Sequence, residues 1–278
     1  IMGNIIICET KTTNIPYTFE NTKVEVFSYE ELCFYLYNNS AIISLEQMDI
    51  KFVTWIAHEL AMVDLAENIT KLRAKEAILM DILVEIFTAK NYYTIDEVKI
   101  FIKQYERLRN LDQYEREKIK GDCFLAYKRY IKAADIYEEL LTKEAEIGNK
   151  ELVGNIYHNH GIALAHNLEI NEARLSFLTA FTYNGNMESL KASFLVLASQ
   201  GDESRVKKEM QKYNLPYEFY QDLLEEFEDT REDIRNMSIY AKVEKAIYNK
   251  NQGNMVGYDQ RMNIILNELK DEFREQAI

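Results

Sequence analysis

Apolar and polar positions follow two different periods along this chain. Near its start, Ile5–Cys8 and Lys23–Phe27 are short β-rich runs. The turn-like stretch Thr12-Thr13-Asn14-Ile15-Pro16 separates them, which predicts a small hairpin. Two strands alone are marginal, so this hairpin is expected to lie against helices. From Ser28 the period lengthens to that of a helix. Ser28 with Glu31 forms a capping-box pattern, in which each side chain satisfies the other residue's free backbone N–H. Leu32, Phe34, Tyr35 and Leu36 then supply an apolar face as far as Asn38. A second helix is predicted after Ser44, with Ile50, Val53, Ile56 and Leu60 on one side and Trp55 as a core anchor. Beyond Lys71 the pattern is a succession of helices. Ala74–Ala89 is predicted as one, and Thr94 with Glu97 caps the next, which carries Val98, Phe101, Ile102 and Tyr105. The expected division is a small α+β module over 1–70 and a helical domain over 71–278.

Composition agrees with a helical class. Among 278 residues there are only 9 Gly and 2 Pro, against usual shares of about 7% and 5%. Turn-rich β folds and phosphate-binding loops need more of both. The net charge of −13 argues against nucleic acid, whose backbone demands clustered Lys and Arg. The first 70 residues hold three lysines against ten acidic residues, a net of −7, so they are unsuited to reading DNA or to an anionic membrane surface. No apolar run is long enough for a membrane span or a signal peptide. Three scattered cysteines, Cys8, Cys33 and Cys123, are expected to be free thiols in a reducing cytoplasm.

Internal repetition is the strongest signal. Gly121-x2-Phe124-x8-Ala133-x3-Tyr137 recurs 40 residues later as Gly161-x2-Leu164-x8-Ala173-x3-Phe177. Small residues let two helices cross closely, and the aromatic one turn after the alanine is expected to pack into the neighbouring helix pair. With Tyr157 and Ala180 added, this pattern resembles the tetratricopeptide repeat, a helix–turn–helix unit of 34 residues. The resemblance covers about Tyr114–Gly185 and lacks the motif's closing proline. About six extra residues fall near Lys143–Lys150. Flanking stretches Ala74–Arg109, Met187–Tyr213, Tyr217–Lys250 and Asn254–Gln276 have lengths suited to further pairs. The resemblance implies a mostly α fold, a TPR-like α-solenoid of antiparallel helix pairs carrying the α+β module at its N-terminus.

No catalytic constellation stands out. His58-Glu59 lacks the second histidine of a zinc-protease motif, and no Gly-rich phosphate loop, Gly-x-Ser-x-Gly elbow or Cys-x2-Cys occurs. His158, His160 and His166 have no Cys or carboxylate at a metal-like spacing, so neither metal nor cofactor is expected. The acid cluster at Glu225-Glu226 is expected to solvate a helix face. The repeat resemblance instead implies a concave groove for a protein segment. Its inward polar positions map to Glu115, Lys118 and Asp122, and then to Asn155, His158 and His166, with Asn159 at the edge. Amide side chains both donate to and accept from an extended peptide backbone. A carboxylate clamp of the chaperone-binding kind is disfavoured, because Asp122 and Ile162 stand where it needs asparagine. The expected function is a cytoplasmic scaffold or adaptor and not an enzyme. The alternative is a peptide-sensing regulator similar to repeat proteins of Gram-positive bacteria, acting on a protein target.

Overall fold

A computed structural model describes residues 9–277, the side chains of residues 272, 273 and 275–277 excepted. The chain is mostly helical, with one two-stranded sheet among the described residues. It divides into two compact units, 1–123 and 124–278.

In the first unit, β1 (Tyr17–Phe19) pairs antiparallel with β2 (Val24–Val26). The partner of the second run is therefore Tyr17–Phe19, while Ile5–Cys8 lies outside the described residues. Lys23 closes the turn in the left-handed region (φ 58). The hairpin does lie against helices. Phe19 stacks on Tyr35 of α1 (Tyr29–Asn38) at 3.9 Å, and Tyr17 meets Phe52 and Trp55 of α2 (Ile50–His58) edge-on or tilted. Ser28 Oγ accepts from Glu31 N–H as the cap predicts, and the Glu31 carboxylate accepts from Phe27 N–H. Trp55 is buried and donates Nε1–H to Ile15 C=O. Ile50 departs from its predicted face and is 74% exposed. Asp49 caps α2, so Ile50 is its first residue, and burial begins with Phe52 and Val53.

Ala74–Ala89 is not one helix. α3 (Val63–Ala74) ends at a left-handed Glu76 (φ 56), whose N–H donates to Arg73 C=O, and α4 (Leu79–Thr88) starts afresh. Contacts also cross residue 70: Tyr29 Oη donates to Ile86 C=O, and Asn68 donates to Glu85. The compact unit therefore runs on to residue 123 rather than stopping at 70. It includes α5 (Ile95–Asn110), whose Thr94–Glu97 capping box forms as predicted.

α6 (Gln113–Ala126) carries the division between the units. Helix pairs dominate the second unit. After α7 (Tyr130–Leu141), the extra residues near 143–150 form a single turn, α8 (Glu144–Ile147), and a left-handed Gly148 before α9 (Lys150–His166). There follow α10 (Ile170–Asn184), α11 (Met187–Ser199), α12 (Glu203–Lys212), α13 (Tyr217–Asn236), α14 (Ser238–Asn251) and α15 (Met255–Ala277). α9 packs against both α7 and α10, and α10 against α11. Asn254–Gln276 forms no pair of its own: from Met255 on it is the single helix α15, whose partner is α14.

One joint recurs. Three residues separate α6 from α7, α9 from α10, α11 from α12 and α14 from α15. The middle residue of each is left-handed: Lys128 (φ 58), Leu168 (φ 65), Gly201 (φ 78) and Gly253 (φ 75). In every joint its N–H donates to the carbonyl three residues back, at 2.9–3.1 Å. The next helix then opens with a bond back to the joint's third residue, as from Ala133 to Arg129 and Ala173 to Glu169. Gly161 is packed where its spacing placed it: a Cβ there would come within 2.7 Å of the Phe177 ring. Phe177 therefore fills the crossing of its own helix pair, not the neighbouring pair as expected.

Candidate functional site

The seven residues predicted to line a groove belong to different local settings, with Glu115, Lys118 and Asp122 on α6. Lys118 and Asp122, on α6 in the first unit, form an i,i+4 ion pair at 2.6 Å. A lysine so engaged is already neutralised by its own helix and is a poor clamp for a carboxylate.

The other four lie on α9. Asn155 Oδ1 accepts from Asn184 Nδ2 at 3.1 Å, and Asn184 Oδ1 accepts from Asn186 N–H at 3.0 Å. Asn184 reaches this position only because residue 154 is glycine; a Cβ there would sit 2.5 Å from its amide. One face of Asn155 is thus fixed by the fold, and the residue borders a cavity of about 460 Å³. Lys150, Glu151, Tyr183, Asn184 and Asn186 share that cavity. His158 is a neighbour of Asn155, but its Nδ1 is 2.9 Å from Ser189 Oγ on α11 and its ring meets the edge of Phe177. Asn159 is half-buried on the same helix. His166 does not join them. It stands eleven residues beyond Asn155, about 16 Å along the helix axis, and stacks face to face on Tyr130 of α7 at 3.9 Å.

Sequence reasoning missed the neighbours that hold Tyr183 of the cavity wall. Glu144, on the single turn α8, accepts from Tyr157 Oη at 2.8 Å and from Tyr183 Oη at 2.7 Å. Burial first and then the Glu144 carboxylate push the Tyr157 phenol up, whereas for half-buried Tyr183 the hydrogen bond to Glu144 is the main cause. The sequence offered no signal for this grip beyond the extra residues themselves. His160 was weighed only as a metal ligand. It is buried, with Nδ1 3.2 Å from Ser176 Oγ of α10 and Nε2 3.6 Å from Glu138 of α7, beyond hydrogen-bond reach. Burial lowers its pKa, which Glu138 partly opposes.

Two serine–histidine contacts invite a chemical reading, since a histidine beside a hydroxyl can act as a base. Ser189 is fully buried and Ser176 is 6% exposed, each packed inside a helix interface. A substrate cannot reach either oxygen, so both contacts serve packing. Among the described residues, no group of three metal-ligating side chains comes together, and no helix is long and apolar enough to cross a membrane. Cys33 is buried and Cys123 half-buried, both as thiols, and Cys8 lies outside the described residues.

Compared with models of known families, with curated proteins and with solved structures, this chain matches none. The functional reading therefore rests on the residues themselves.

Proposed function

We propose that the protein is a TPR-like helical-repeat adaptor, working in the cytoplasm, that holds an extended protein segment against the polar face of α9. What supports this reading is the repeat register. The same three-residue joint returns after 40 residues at Lys128 and Leu168, with the same backbone bonds and with Gly161 under Phe177. Beside it lies a cavity walled by three amides with Tyr183, Lys150 and Glu151, groups that between them donate to and accept from a peptide backbone without demanding a side-chain sequence. Asn155 and Asn159 are the ligand-facing pair, and Asn184 and Asn186 extend the row. Lys118, Asp122 and His166 are left to structural roles. Lys150 and Glu151 at the cavity mouth supply one charge of each sign, which suits a segment of mixed charge.

The test is affinity capture from native extract with wild type, Asn155→Ala and Lys150→Glu, followed by mass spectrometry that also detects short peptides. Asn155→Ala removes the acceptor for Asn184 and is expected to cost about 1 kcal/mol of stability. Exposed Lys150→Glu leaves the helix interfaces intact and isolates binding. A protein partner lost from both variants supports the adaptor. Undiminished recovery from both overturns the site. A co-purifying short peptide would instead favour the peptide-sensing alternative at the same face.

A further inference from the structure

The final helices of the second unit bury very little. From residue 224 onward, Ala246 and Ile265 alone are buried among the described residues. Leu224 (44%), Ile234 (43%), Ile247 (47%) and Tyr248 (64%) all stay exposed. A helix pair that only covered its neighbours would turn a polar outer face to water. This one turns an apolar face outward, and large exposed apolar surfaces mark interaction sites.

Two stripes on these helices complement each other. At 3.6 residues per turn, Leu224, Phe227 and Ile234 share one stripe of α13 with Arg231, which lies over the Phe227 ring and pairs with Glu228, and Glu228, Glu232 and Glu225 run along one side of it. Residues 224–236 hold six acids against Arg231 and Arg235, a net of −4. On α14, Tyr240, Ile247 and Tyr248 line a cleft of about 700 Å³. Lys245 and Arg261 stand in that cleft against one acid, Glu244. Lys242 pairs with Glu268 at 2.6 Å and Lys250 lies over the Tyr258 ring, bracing α14 against α15. The stripe does not fill this cleft within one chain. Met237 alone joins α13 to α14, in an extended conformation (φ −73, ψ 142), and both surfaces stay exposed.

We propose that the chain forms a two-fold dimer in which residues 224–236 of each copy lie in the α14–α15 cleft of the other. One chain carries both the acidic apolar stripe and the basic-rimmed apolar cleft, so a two-fold axis satisfies both at once and closes the assembly. The opposite charges steer the stripe into the cleft and weaken with salt.

Sedimentation equilibrium of the full chain tests this. The expected mass is twice the 32.8 kDa of one chain, with dissociation rising when NaCl increases from about 0.05 to 0.5 M, within the range where screening lengths shrink below 10 Å. Ile247→Asp in the cleft and Leu224→Lys on the stripe should each weaken dimerisation at least tenfold, while their circular dichroism matches that of wild type diluted until it too is monomeric, since both side chains are exposed. Mixing the two variants should restore a heterodimer, because the intact stripe of one still meets the intact cleft of the other. A wild type that stays monomeric at about 100 μM overturns the proposal. So does a Leu224→Lys variant that dimerises normally while Ile247→Asp does not, which would mean that the clefts pair with each other.

Discussion

Leu168 is held left-handed (φ 65) while 82% exposed, so its side chain returns almost nothing for the strain of its backbone. A Cβ in that region crowds the following carbonyl and costs roughly 1–2 kcal/mol, which glycine avoids at some cost in unfolded-state entropy. Leu168→Gly should therefore stabilise the protein by about 0.5–1 kcal/mol, read as a higher Tm in thermal unfolding. A lower Tm would mean that the leucine makes contacts its exposure denies. At this scale the sequence was most legible where a residue acts on its own neighbours. The Thr94–Glu97 box could be seen because both partners lie within one turn. Ile50 could not, because the start of α2, rather than the apolar period, decides which way it faces.

Among the helices, the single turn α8 shows how little of a site the spacing reveals. The 40-residue repeat located the extra residues, but their use depends on partners 13 and 39 positions further along the chain. Glu144→Gln should let both phenols ionise at lower pH. The larger change is expected for Tyr183, whose main perturbation is this carboxylate, and the smaller for Tyr157, where burial dominates. A pH titration of ring-labelled tyrosines by NMR measures both, and unmoved resonances would mean that Glu144 does not hold the two phenols. The later helix pairs were illegible for a related reason. The α11–α12 pair has the same joint, but Phe194, Val206 and Met210 occupy the positions that hold Gly161, Ala173 and Phe177 33 residues earlier. Bulk there redistributes the packing, so Phe194, Val206 and Met210 form a core cluster of their own with Leu190 and Leu197. The backbone repeats where the side chains do not.

Across the whole molecule, histidines give stability a pH dependence. Burial lowers the pKa of His160 against the pull of Glu138, and lowers that of His166 with Lys128 adding to it. The unfolded chain then takes up protons first, near the ordinary value of about 6.5. Stability is complete above that pH and is lost as pH falls below it. The urea midpoint should drop between pH 7.5 and 5.5, and His160→Gln should flatten the slope; a midpoint that rises toward acid would contradict the burial of these rings. The helical class was legible throughout, from the scarcity of Gly and Pro and the apolar period. The division between units was not, since it rests on long-range bonds such as Tyr29 to Ile86. The recurring joint also has a kinetic meaning. Three residues between partners keep the contacts of each pair close in sequence, so closure costs little entropy and low contact order favours fast folding. Chain collapse would then begin within α9 and α10, whose crossing is buried from the outset. The α14–α15 pair, joined just as tightly but burying almost nothing of its own, would form early and last only as long as something covers it.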